Sequence, residues 1–304
     1  MKRIKFKNFA GVRIKGKVPI ETPGALASIG HLNRVEWLTA TVESGGVFGT
    51  VQNYDGTGMT AGLHQAVACY PRAKGQGPLW RLVDTFPVGD ELFEKLKERG
   101  FWLGTAGELV DLETDRSARR ARIRHEFTGA RNGVMPLRGP DRKRAEEWAW
   151  LFHECFSNPA TFEIQKRAGK NWCLDRERQR LRFSVRCSDQ SIRAAVYGGA
   201  WLQRAEMIDL GIEKDLALAV YWSHSVNAPG AAFRRLCKAV DEADPLDNPR
   251  DFAKALIRRL GKARYGRWHY TIKNGRYQRT RRAARKLWPA ELFKGKGAIM
   301  PYQF

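Results

Sequence analysis

Glu43 stands where a run of helically spaced apolar residues stops, and Asp55 follows twelve residues later inside a glycine-rich turn. A glutamate at a helix C-terminus meets the negative end of the helix dipole. Burial and a neighbouring Asp55 would add to the pressure against its charged form. A carboxyl held protonated near neutral pH can act as a general acid and donate to a glycosidic oxygen. Asp55, in a turn open to water, would stay ionised. Two carboxylates whose environments separate their protonation states are what glycoside hydrolysis uses: a separation of about 6.5–9.5 Å means inversion and about 5 Å means retention. On spacing alone, the same residues also describe an ordinary surface glutamate and an Asp-Gly turn.

The residues around them extend the candidate site. Thr60 carries a hydroxyl that could hold a water. Asn53 and Tyr54 precede Asp55 and either line a cleft or are plain hairpin residues. His64 either touches substrate or packs in a turn, and Gln65 after it is a further candidate substrate-binding residue. Glu36 lies seven residues before Glu43, on nearly the same helical stripe, as a second acid or as one half of a structural ion pair. Tyr221, Trp222, Ser223 and His224 end a helical segment and could close a cleft wall or belong to the core. The other histidines, His31, His125, His153 and His269, have no spacing that suits a metal, and no P-loop or Gly-x-Ser-x-Gly is present, so no metal or cofactor is expected. The five cysteines, Cys69, Cys155, Cys173, Cys187 and Cys237, are scattered and odd in number, which reads as buried thiols rather than a disulfide framework.

Positioning such residues takes elements, and the pattern supplies them. Ile29, Leu32, Val35, Leu38 and Val42 recur at helical spacing, which predicts a helix over 29–43, stopped by Ser44-Gly45-Gly46. Residues 47–62 predict a small hairpin or sheet, and 62–70 a short helix ended by Pro71. Further helices are expected at 90–98, 141–156, 188–208, 213–224, 229–242, 249–263 and 275–288. Alternating segments within 107–127 and 161–187 suggest extra strands. The expected class is mainly α (α+β): a basic arm or short strand pair over 1–28, then one body over 29–304. That body carries an insertion at about 100–187 and basic helices at about 249–288.

The segment Glu43–Gln65 resembles the active-site region of the lysozyme-like superfamily. Lytic transglycosylases and goose-type lysozymes of that superfamily carry Glu-Ser at a helix end, then a Gly-Leu-Met-Gln-like stretch. Glu43-Ser44 and Gly62-Leu63-His64-Gln65 match, with His64 in the Met place. Chitosanases of the superfamily carry Asp-Gly-Arg-Gly-Tyr-Thr-Ala-Gly, and Asp55-Gly56-Thr57-Gly58-Met59-Thr60-Ala61-Gly62 is similar to it at six of eight positions. Thr57 replaces the arginine, and the Glu-to-Asp spacing is shorter here. The resemblance covers about residues 29–65. It implies a lysozyme-like helical body with its cleft between the helix ending at Glu43 and the 47–62 hairpin. It also implies Glu43 as the acid, with Asp55 and Thr60 placing or activating water.

Charge bears on the substrate. The 304-residue chain has 54 Lys plus Arg against 32 Asp plus Glu, a net of +22, with ten Trp and 43% hydrophobic residues. That excludes a disordered chain, and no apolar run is long enough to span a membrane. Such a balance implies an anionic partner. The excess is densest from residue 251 onward, with 15 Lys or Arg against two acids, and Tyr265, Trp268, Tyr270, Tyr277 and Trp288 are interleaved. Basic residues with aromatics suit nucleic acid or acidic sugars, and they also describe a solvated helix face. The expectation is a glycosidase of peptidoglycan, either a muramidase or a lytic transglycosylase, held to the anionic envelope by its basic C-terminal region. A chitosanase-like amino-sugar hydrolase and a non-catalytic nucleic-acid or wall-binding protein are the alternatives. Chitosan is a polycation, which a +22 protein repels. The N-terminus, basic but without an apolar stretch behind it, does not read as a secretory signal. With the lysozyme-like segment, this resembles a phage endolysin or virion-associated lysin, made in the cytoplasm and acting on the cell wall.

Overall fold

The computed structural model describes residues 12–22, 31–53, 57–70, 75–130, 138–169, 211–225, 229–244, 247–262 and 269–302. The described chain is mainly helical with two small antiparallel sheets. It divides into two compact units: residues 1–20 with 43–169, and residues 21–42 with 170–304.

The first unit holds both sheets. Strands β1 (Arg13–Ile14), β2 (Val51–Gln52), β3 (Thr60–Ala61) and β4 (Ala66–Val67) form an antiparallel sheet in that order. Gln52 pairs with Thr60, and Val51 with Ala61. Side chains alternate across a pleated strand, so Val51 and Ala61 go to the core face together while Gln52 and Thr60 share the other. Residues 12–20 are paired rather than free. Ile20 N donates to Gly46 O, Phe48 N to Val18 O, and Asn53 N to Val12 O. Of the two readings of the N-terminal segment, strand pairing describes this stretch.

The predicted helix over 62–70 is replaced by a tight turn and β4. Gly62 has φ 81° and Gln65 φ 53°, both left-handed, and such a sequence of dihedrals cannot propagate a helix. A Cβ on Gly62 would also lie 2.5 Å from the Phe156 ring, so only glycine fits there.

Helices α2 (Leu79–Asp84), α3 (Asp90–Glu98), α4 (Arg120–Thr128) and α5 (Pro140–Ser157) complete the first unit, with a second sheet of β5 (Phe101–Leu103), β6 (Leu109–Asp111) and β7 (Arg116–Ser117). Strands were expected within 107–127, and β6 and β7 supply them, but residues 120–128 form α4. On α5, Ala145, Trp148, Ala149, Phe152 and Phe156 recur at helical spacing and are buried. Leu151, read from the pattern as part of that face, is only half-buried. Trp80, Phe127, Trp148 and Phe152 pack with ring centroids 4.7–6.4 Å apart. Both indoles also find an acceptor: Trp80 Nε1 donates to Ala68 O at 3.0 Å and Trp148 Nε1 to Glu126 Oε1 at 3.0 Å. α5 packs against β1, β2 and β3, so the aromatic stripe is the floor on which the four-stranded sheet rests. Residues 162–169 are helical where strands were expected, and 170–187 lie outside the described residues.

The second unit is helical: α1 (His31–Glu43, counted to this unit through Val42), α6 (Gly211–Ser225), α7 (Pro229–Glu242), α8 (Pro249–Gly261) and α9 (Arg276–Ala284). Leu216 to Trp222 are all buried, so α6 is covered on every side and α7, α8 and α9 pack on it. Arg34 of α1 and Asp215 of α6 form a buried ion pair, with Arg34 Nε donating to Asp215 Oδ2 at 2.8 Å. Tyr221 and Trp222 are buried in this helix and Ser223 is too, which makes this segment core rather than a cleft wall. The helix expected at 188–208 lies outside the described residues.

Candidate active site

The end of α1 is built from four consecutive residues. Glu43 is its last helical residue and is half-buried. Ser44 is buried, and its Oγ accepts from Val47 N at 3.3 Å. Gly45 and Gly46 follow at φ 84° and 72°, a left-handed pair that reverses the chain and that side-chain-bearing residues resist. Val47 then bridges to Pro19, and the chain enters the four-stranded sheet. The glutamate thus stands at a helix terminus directly before this turn, and the chain passes from the second unit to the first at this residue.

On the face of that sheet opposite Val51 and Ala61, Thr60 and Gln65 come together. Thr60 Oγ1 lies 3.1 Å from Gln65 Oε1 and 3.3 Å from Gln52 O. A hydroxyl has one proton, which it gives to one of these acceptors, and its lone pairs stay able to accept from a water. Gln65 Nε2 donates to Thr50 O at 3.0 Å and to Gly62 O at 2.9 Å, while Gln65 Oε1 accepts from Gln52 Nε2 at 2.5 Å. This is why Gln65 tolerates a left-handed backbone: its amide ties β2, the 62–65 turn and Thr60 into one network. Gln65 therefore acts as a brace under Thr60, where the sequence had suggested a substrate contact.

Asn53 is placed differently from its expected position on a cleft. It is 1% exposed. Its Oδ1 accepts from Val12 N at 2.7 Å, and its Nδ2 donates to Phe127 O at 3.0 Å and Ala145 O at 2.8 Å. It fastens the chain just after β2 to α4, α5 and the N-terminal strand through both polar atoms of its side chain. Tyr54 and Asp55 lie outside the described residues. His64 is half-buried against Gly169, where a Cβ would come within 2.1 Å of His64 Nε2. Glu36 is buried.

Several positioning residues carried no sequence signal. Gln165 Oε1 accepts from Leu63 N at 3.0 Å, and its Nε2 donates to Phe156 O and Thr161 Oγ1, both at 2.9 Å. His153 Nδ1 lies 2.6 Å from Gly49 O. Each acts across about a hundred residues, so no local spacing announces it. Among the described residues no group of three His, Cys, Asp or Glu is gathered as metal ligands would be. Burial pushes the Cys69 thiol up to about 11 and the Cys155 thiol up to about 12, so both are protonated and unreactive at neutral pH.

The basic C-terminal region is partly structural. Arg281 is 3% exposed, donating through Nε to Met300 O at 2.9 Å and through Nη2 to Phe293 O at 2.7 Å. Tyr277 and Trp288 are buried, so they cannot stack on bases or sugars, while Arg282, Arg285 and Lys286 are exposed. Tyr270 stacks on Tyr302 at 3.9 Å. Tyr265 and Trp268 lie outside the described residues. No helix among the described residues is long and apolar enough to cross a membrane.

The chain matches no family model, no curated protein and no solved structure.

Proposed function

We propose that this chain is a lysozyme-like glycosidase that cleaves the glycan strands of peptidoglycan, with Glu43 as general acid. The reading is supported by Glu43 standing as the last residue of α1, directly before the Ser44-Gly45-Gly46 turn, and, separately, by the Thr60 hydroxyl being braced by Gln65. In this reading the Glu43 carboxyl gives its proton to the glycosidic oxygen as the C–O bond breaks, and the positive charge left on the sugar is quenched by a nucleophile. In hydrolysis that nucleophile is water, which passes a proton to the Asp55 carboxylate as it adds, while the Thr60 hydroxyl is suited to accept a hydrogen bond from it and hold it; solvent then returns a proton to Glu43 and takes one from Asp55. In transglycosylation a group of the same sugar attacks instead, and one carboxyl suffices. The net charge of +22 favours an anionic wall polymer over cationic chitosan. Exposed Arg282, Arg285 and Lys286 would add affinity for the envelope without taking part in the chemistry.

The test is product analysis on purified peptidoglycan and on chitosan, with wild type and Glu43→Gln. Glutamine keeps the shape and cannot transfer a proton. The expected result is cleavage of peptidoglycan by wild type and a loss of about 10²–10⁴-fold or more in the variant, with unchanged circular dichroism. Products lighter by one water would assign transglycosylation. No cleavage by wild type, or a folded Glu43→Gln protein working at wild-type rate, ends the proposal.

A further inference from the structure

Beside the end of α8, three aromatic rings stack one on another. Tyr270 lies face to face with Tyr302, with ring centroids 3.9 Å and planes 17° apart, and His269 lies on Tyr270 at 4.6 Å and 25°. A ring has two faces, so His269 and Tyr302 take opposite sides of Tyr270. Buried Gln278 of α9 holds the stack together. Its Nε2 donates to Tyr270 O at 2.6 Å and to Tyr302 O at 3.5 Å. Tyr270 N donates to Gly261 O, at the end of α8, at 2.8 Å. His269 Nδ1 accepts from Thr271 N at 3.3 Å, which sets the tilt of the imidazole. A platform ordered in this way spares a ligand part of the entropy cost of binding.

The two ends of the stack differ. Buried Tyr277 packs tilted against Tyr302 at 6.2 Å, which ties that end to the core. His269 touches no second ring among the described residues. The three stacked rings are half-buried, and Ile272, whose N donates to His269 O at 3.1 Å, is 40% exposed. Lys262 follows Gly261 and Lys273 follows Ile272. Both are exposed, and neither makes an ion pair among the described residues. From residue 251 onward the chain has 15 Lys or Arg against two acids, and one of these, Asp251, lies 3.4 Å from Lys254. A neutral sugar ring has nothing to offer the two lysines. A nucleotide offers a planar base to the stack and a phosphate to the lysines.

We infer that the His269–Tyr270–Tyr302 stack is a binding site for single-stranded nucleic acid, in which a base continues the stack on His269 and neighbouring phosphates meet Lys262 and Lys273. Every base has a flat face, so the site reads strand state and not sequence. A duplex keeps its bases stacked inside and offers phosphates alone. This binding is independent of the proposed glycan chemistry.

The experiment measures fluorescence anisotropy of the full-length protein with a labelled oligothymidylate about 20 nucleotides long and with an abasic strand of the same length and charge. Wild type is expected to bind the oligothymidylate about tenfold more tightly, with both affinities falling as salt rises. His269→Ala should abolish the preference and leave affinity for the abasic strand unchanged, because a ring is lost and the lysines stay. His269→Phe keeps a ring and should keep the preference, and it serves as the test if His269→Ala does not fold. Lys262→Gln with Lys273→Gln should weaken both strands alike and flatten the salt dependence. Equal binding of the two strands by wild type, no binding at physiological salt, a preference that survives His269→Ala or is lost in His269→Phe, or an unchanged salt dependence in the lysine variant overturns the inference. So does a soluble disaccharide-peptide that binds more tightly than either strand and loses that affinity in His269→Ala, which would make the stack a sugar site. Wild type that cleaves no peptidoglycan yet prefers the oligothymidylate would remove the proposed chemistry and leave this site standing.

Discussion

The Thr60 hydroxyl has two protein acceptors within reach and one proton to give, so what it can offer a water is a lone pair. Thr60→Ala should therefore slow hydrolysis by roughly tenfold, far less than Glu43→Gln, because it removes a holder of water and not a donor of protons. Steady-state rates on one soluble glycan, with both variants side by side, check this; a loss as large as that of Glu43→Gln would move Thr60 into the proton-transfer step. His224 supports a second prediction at this scale. Burial, with the charges of Arg235 and Arg276, pushes its pKa down to about 3, so the folded protein keeps it neutral. Unfolded, it titrates near 6.5. Below that pH the unfolded chain takes up a proton that the folded chain refuses. Its contribution to stability is whole above pH ~6.5 and falls as pH drops toward 3, by up to about 1.4 kcal/mol per pH unit. Urea midpoints at pH 7 and pH 5 should differ in wild type and differ less in His224→Gln; identical pH dependence in both proteins would refute the assignment.

At the scale of elements, α1 and α6 are joined through the Arg34–Asp215 pair, which is buried on both sides. Removing one partner leaves a desolvated charge, at a cost of about 3–5 kcal/mol, whereas replacing both with apolar residues is close to neutral. Arg34→Met should accordingly lower the urea midpoint sharply, and Arg34→Met with Asp215→Leu should recover most of the loss. Additive losses in the double variant would show that the pair is not coupled. On α9, the same residue type has two fates within five positions. Arg281 turns inward to bind two backbone carbonyls, and Arg282 and Arg285 face water. Helical geometry turns Arg282 about 100° away from Arg281, while Arg285, one turn on, lies just past the end of the helix.

At the scale of the whole molecule, the net charge of +22 sets how the protein meets its surroundings. Changing exposed Arg282, Arg285 and Lys286 together to Gln should weaken binding to whole cell walls and flatten its salt dependence, with little effect on cleavage of short soluble glycans. Pull-down on walls from 50 to 500 mM salt measures the first, and rates on soluble fragments the second; equal loss in both assays would place these residues in the substrate site. Arg281 is left out of that variant because its loss would orphan the carbonyls of Phe293 and Met300.

Much was legible in the chain alone because it was written in short-range patterns. The 3–4 spacing of Val35, Leu38 and Val42 announced α1, and Ser44-Gly45-Gly46 marked its end. Trp148, Phe152 and Phe156 announced α5, and the Asp-Gly and Thr-Gly pairs announced a hairpin. Glu43 was legible as a carboxyl at a helix end by the same reasoning. The 62–70 segment was misread because its helix-like composition is overruled by two left-handed residues, a choice enforced by the Phe156 ring against Gly62 and the Gln65 amide bridging strands. Asn53 and Gln165 owe their roles to partners roughly 40 to 100 residues distant. The sequence by itself determined the long amphipathic helices, where the first helix ends and how strongly positive the chain is, since each depends on neighbouring side chains or simple composition. The tertiary structure decided which polar groups are buried, braced or left facing a turn, because burial and hydrogen bonding depend on what distant chain segments bring alongside.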